Sequence, residues 1–171
     1  MKTKMKTIEK FLTTTIRSLT RIPDLKPKIK ISTSRQNIDI DIDLGDIEIR
    51  VLIGARGSMK YAVQTLVAHY YEMDPSDVVV FYRSSCMIPI TKNTVTSEPD
   101  PDQMRELIDS FLDMVPEATG SELETSKSMV IGKMAMPTDI LRDLGYHMTR
   151  IFRAAASSNG FQGTLYLSRQ E

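Results

Sequence analysis

The chain has 171 residues, 41% of them hydrophobic, with 22 Lys/Arg against 22 Asp/Glu and one cysteine. That is enough apolar content for one ordinary domain or two small ones without covalent staples. A single cysteine excludes an internal disulfide, there is no Cys/His cluster for a structural zinc site, and no run of about 18 apolar residues could span a membrane; the reading is a protein of a reducing cytoplasm with no metal or cofactor.

The basic start, Met-Lys-Thr-Lys-Met-Lys, is not followed by the apolar core of a signal peptide. Charge is unevenly spread. Residues 1–37 carry ten Lys/Arg against two acids, and residues 86–171 carry eight against twelve. A basic front end can meet phosphate, while an acidic remainder limits non-specific adhesion. For the first six residues, a solvated tail is the alternative.

Thr7–Thr20 places Ile8, Phe11, Leu12, Ile16 and Leu19 at spacings of three and four, which predicts an amphipathic helix ended by Pro23 and Pro27. Lys28–Ser32 and Ile38–Asp43 alternate at period two and predict two strands joined by a polar turn. The row Asp39, Asp41, Asp43 then faces water; it lacks the glycine turn and distal glutamate of a calcium loop. Asp46–Ile53 reads as one or two helical turns stopped by Gly54. A second helix, capped by Ser58, runs to about Glu72, and Asp77–Arg83 reads as a buried third strand.

Pro89–Pro101, rich in Thr, Ser, Asn and Pro, predicts a linker. Beyond it, Gln103–Val115 reads as a helix, Ser128–Met134 as a strand, and a long helix follows Pro137, capped by Thr138 or Asp139. Asn159-Gly160 ends that helix before a last strand at Thr164–Ser168. The domains expected are residues 1–88, a linker over 89–101, and a second α+β unit over 102–171. The second repeats the order of the first in degraded form, which suggests a tandem duplication.

Candidate chemistry centres on Val51-Leu52-Ile53-Gly54-Ala55-Arg56-Gly57-Ser58-Met59-Lys60. Glycines without a β-carbon let the backbone turn at positive φ and approach another polymer closely. The start of the following helix can then donate to an anion favoured by the helix dipole. Arg56, with Arg50 before it and Lys60 after it, adds charge that makes phosphate binding salt-sensitive. Ile53 and Ile49, with Ile40 or Ile42, are candidates for an apolar floor under bases, the alternative being ordinary core. Tyr61 could stack a base or stand as a surface tyrosine.

This loop, preceded by Leu52-Ile53 and followed by Ala62, Gln64, Leu66 and Val67, resembles the type II KH family over residues 5–85. The closest likeness is to the KH modules of bacterial Jag-like proteins and of the transcription factor NusA. The resemblance implies an α-β-β-α-α-β fold whose Gly-x-x-Gly loop clamps about four nucleotides of single-stranded RNA by their backbone. Single-stranded DNA is the alternative ligand. RNA-binding residues by this likeness are Arg50, Ile53, Gly54, Ala55, Arg56, Gly57, Ser58, Lys60 and Tyr61. Lys60 stands where an apolar residue is common and Ala55 where a basic one is. The Arg-x-x-x-His signature of a Jag second domain is absent, Arg142 and His147 being five apart.

In the second half Met134-Ala135-Met136-Pro137 occupies the place of the loop, so that unit is read as a KH-like copy without a clamp, suited to self-association or a protein partner. Gly160-Phe161-Gln162-Gly163 is read as a turn, and Gly132-Lys133 as a phosphate contact or a strand kink. The pair of units is similar to small KH-type RNA-binding proteins of nucleus-forming jumbo bacteriophages, which implies phage transcripts in a host cytoplasm as ligand.

An enzyme is not expected. His69 and His147 sit among apolar neighbours without partners, Cys86 has no flanking base, and the loop lacks the spacer and Lys-Ser/Thr pair of a nucleotide-binding P-loop. The competing reading is a KH-fold adapter or self-assembling scaffold, for which eleven methionines and an acidic second half speak.

Overall fold

The computed structural model describes residues 2–86 and 99–170. It is a mixed α+β protein in which one topology occurs twice. The first half runs α1 (Lys2–Thr20), β1 (Lys28–Thr33), β2 (Ile38–Asp43), the four-residue α2 (Arg50–Ile53), a single 3-10 turn (Ala55–Gly57), α3 (Ser58–Tyr70) and β3 (Val78–Arg83). The second runs α4 (Pro101–Met114), β4 (Thr119–Ser126), β5 (Met129–Met136), α5 (Thr138–Ser158) and β6 (Gln162–Arg169). Each half forms a three-stranded sheet in chain order, the first pair antiparallel and the second parallel. A parallel pair needs a crossover between its strands, and the helices that follow β2 and β5 supply it.

Strand alternation is converted directly into burial. Ile38, Ile40 and Ile42 are each 2% exposed or less, while Asp39 and Asp43 face solvent. The register sets Lys28 opposite Asp43 and Lys30 opposite Asp41, and Asp41 accepts two hydrogen bonds from Arg83 of β3, Nε at 2.9 Å and Nη2 at 2.8 Å. The aspartate row is thus a charge-matched outer face. β3 is an edge strand, not a doubly buried one: Val78, Val80 and Tyr82 point inward, and Val79 and Phe81 are about half exposed.

Helix α1 packs on α4 and α5, and α3 on α5. One contiguous apolar cluster results, containing Phe11 and Leu66 from the first half and Phe111 and Phe152 from the second. The Phe11 and Phe111 rings lie 5.9 Å apart. Asn159, at the end of α5, donates from Nδ2 to the Ser18 carbonyl of α1 at 3.1 Å. Neither sheet could bury its inner face without these helices, and the helices bury theirs largely on each other.

Several boundaries depart from expectation. Helix α1 begins at Lys2, so residues 2–6 are helix and not tail. Lysine favours helix well enough to extend it without an apolar stripe, and Lys4 Nζ sits over the rings of Tyr70 and Tyr71 at 5.4 and 5.7 Å. Asp46 lies in a turn, and α2 starts only at Arg50. Helix α3 stops at Tyr70, and α5 is preceded by Pro137 with no side-chain cap. The linker expected at 89–101 falls mostly outside the described residues; its last member, Pro101, is the first residue of α4, capped by Asp100 Oδ1, which accepts from Asp102 N at 3.1 Å. Strand β4 was not expected at all.

Candidate nucleic-acid interface

Between α2 and α3 the backbone breaks from helical conformation. Gly54 adopts φ 75° and ψ 174°, Arg56 φ 56°, and Gly57 φ 75°. A β-carbon on Gly54 would lie 2.8 Å from both the amide nitrogen and Cβ of Met59, so only glycine lets α2 press this closely on the start of α3. A β-carbon on Gly57 would meet nothing within 4 Å; that glycine faces open space, and its requirement is the left-handed backbone. Arg56 holds the same region without being glycine, at a cost of roughly 1 kcal/mol. Such strain concentrates at functional sites.

The loop is closed by its own backbone: Gly54 N donates to Arg50 O at 2.9 Å and Gly57 N to Gly54 O at 3.2 Å. Ala55 and Arg56 are left exposed at its tip. The positive end of the α3 dipole lies at the loop. Arg50, with a side chain 72% exposed, is 3.3 Å from Glu48, which moderates its charge. Lys60 is half-buried one turn along α3.

Ser58 is the first residue of α3 and does not cap it. Its Oγ instead accepts a hydrogen bond from Nη2 of Arg150, on α5 of the second half. Arg150 Nη1 donates to Tyr146 Oη at 3.2 Å. His147 sits between two aromatic rings, Tyr61 at 5.6 Å and Tyr146 at 5.5 Å, both edge-on. Burial, then the charge of Arg150, hold the His147 imidazole below its ordinary pKa. This histidine has ring neighbours, but its buried Nδ1 has no hydrogen-bond partner, in keeping with the sequence reading. His69 does have a partner, contrary to that reading: its Nε2 is 3.6 Å from Glu117 Oε2.

The expected residues separate into groups. Gly54, Ala55, Arg56, Gly57 and Ser58 form one continuous surface, with Arg50 and Lys60 at its two ends and Tyr61, 52% exposed, behind it. Ile53 and Ile49 are half-buried, with surface to spare for an apolar contact. Ile40 and Ile42 are core and cannot serve as a floor for bases. Gly132 is also core: a β-carbon there would approach Leu165 Cδ1 at 3.1 Å and Ile108 Cδ1 at 3.2 Å, so of the Gly132-Lys133 pair only Lys133 reaches the surface, beside Glu122 and Glu124. Gly160 is in the turn expected of it, but Gly163 already belongs to β6.

Sequence reasoning missed Tyr146, Arg150 and Arg153. Their spacing along α5 puts them on one polar stripe, which was visible, but nothing in the sequence told against which element the stripe would lie. No protein-family model matches the chain, and comparison with proteins of curated function finds no match. Among the described residues no helix is long and apolar enough to cross a membrane.

Proposed function

We propose that the chain is a single-stranded RNA-binding protein of the type II KH kind, gripping the sugar-phosphate backbone at Gly54–Gly57. The observation that carries this reading is the loop itself: a Gly-Ala-Arg-Gly turn with Ala55 and Arg56 exposed and Gly54, Arg56 and Gly57 at positive φ, joining two helices at the positive end of the second. The order of elements and the antiparallel-then-parallel sheet around it agree with that family. Its ligand in this reading is messenger RNA in a bacterial cytoplasm. Phosphates lie along the loop and the first turn of α3, with Arg56 and Lys60 as counter-charges, while Ile53 and Ile49 offer apolar contact to bases.

The test is electrophoretic mobility shift with single-stranded RNA across a salt series. The informative variant is Ala55→Asp with Arg56→Asp, because both glycines stay and aspartate tolerates the left-handed region better than most residues. Replacing the glycines would confound binding with folding at Gly54. Wild-type affinity should fall steeply with salt, and the variant should bind at least about tenfold more weakly through lost charge-assisted contacts. Equal binding by the two proteins would contradict the clamp. Absence of wild-type binding would favour the adapter reading.

A further inference from the structure

Helix α5 and the start of α3 enclose an open groove of about 380 Å³, lined by Met59, Tyr146, Thr149, Arg150, Arg153 and Ser157. Met59 is the residue against which Gly54 packs, and Ser58, bonded to Arg150, follows Gly57 directly, so the groove opens beside the loop. Its walls carry two guanidinium groups and no carboxylate. Among the described residues neither Arg150 nor Arg153 has an ion-pair partner, although six carboxylates elsewhere in the chain are paired with Lys or Arg. The buried Nε of Arg150 has no hydrogen-bond acceptor. Tyr146 is 67% exposed at the rim, with its hydroxyl held by Arg150 and its ring presented to solvent.

We propose that this groove is a second subsite for the same RNA strand, in which Arg150 and Arg153 take the phosphate of a nucleotide flanking those on the loop and Tyr146 stacks its base. The second half would then be part of the binding surface and not merely a degenerate copy. Two arginines without an ion-pair partner beside an open groove suit an anion, and a tyrosine ring at the rim offers a stacking platform indifferent to base identity. The groove's size suits one nucleotide, at the small end of the range for ligand sites. The inference rests on the clamp reading, since it takes the strand to be already held at Gly54–Gly57.

Fluorescence anisotropy with labelled oligouridylates of about four and about ten nucleotides separates the two subsites, four being the span of the loop. Arg153→Glu and Tyr146→Ala are the variants, both at exposed positions, with thermal melts to confirm folding. Each should weaken the longer oligonucleotide about tenfold and the shorter one less than twofold. Arg153→Ala should also reduce the salt slope for the longer strand by about one. Unchanged binding of the longer strand by both variants, with Ala55→Asp/Arg56→Asp still defective, would overturn this subsite and leave the clamp standing. Unchanged binding by the loop variant, or none by wild type, would overturn both.

Discussion

The two halves solve the same topological problem differently. To connect their parallel strands, the second half uses one unbroken helix of 21 residues, whereas the first uses a four-residue helix, a glycine-bounded loop and a 13-residue helix. Strands tell the same story, with six residues each in the first sheet and eight in the second. The second half has the longer strands and the unbroken helix, with one shift of register in β4 between Thr119 and Ser121. The first spends regularity on an exposed break in which three of four successive residues, Gly54, Arg56 and Gly57, hold positive φ. What the straight helix contributes is a rigid polar stripe laid against the break, through Arg150 and Ser58.

If the halves are one folding unit, damage to their shared core should remove both. Phe11→Ala takes a fully buried ring from α1 that lies against Phe111 of α4. It should cost about 3–5 kcal/mol, and chemical denaturation followed by circular dichroism should still show one transition. Loss of the first sheet alone, with the second half melting separately, would break the comparison into two independent domains.

Within the break, the two unusual residues should respond in opposite directions. Gly54→Ala forces a β-carbon onto Met59 backbone and should destabilise by about 2 kcal/mol, read as a lowered denaturation midpoint. Arg56→Gly relieves left-handed strain and should stabilise by about 0.5–1 kcal/mol while weakening RNA binding. A stability gain accompanied by lost binding is the signature of strain held for function.

Where the straight helix meets the loop, His147 supplies a smaller, pH-dependent effect. Its folded-state pKa is lowered by burial and by Arg150 from an ordinary value of about 6.5. The unfolded chain therefore takes up the proton first. Stability from this group is fully present above about pH 6.5 and is lost as pH falls toward the folded-state pKa. Thermal melts of wild type and His147→Gln between about pH 7.5 and 5 should converge toward low pH, the variant showing the shallower dependence. Parallel curves would mean that the imidazole is not the group responsible.

Much of this architecture could be read directly. The isoleucine alternation of β2, the stripe of α1 and the glycine pair of the loop each reflect a local rule, and each lies where those rules put it. Strand β4 was illegible because Thr119–Ser126 holds only Leu123 as an apolar side chain; pairing with β5, not burial, keeps it extended. Hydrogen bonding to a neighbour leaves no mark on the sequence of an edge strand. The partnership of Ser58 with Arg150 was beyond reach for another reason. Ninety-two residues separate them, and only the packing of α3 on α5 sets one beside the other. Ile40 and Ile42 were ambiguous between core and base contact until the helices covered them.

The most direct measurement of the central claim is a titration of isotope-labelled protein with single-stranded RNA, followed by amide chemical shifts. The account predicts that the earliest and largest changes fall on Gly54–Lys60, with Tyr146–Arg153 following only for strands longer than about four nucleotides. Changes confined to the outer sheet faces around Phe81 or Tyr166, or no changes at all, would contradict it.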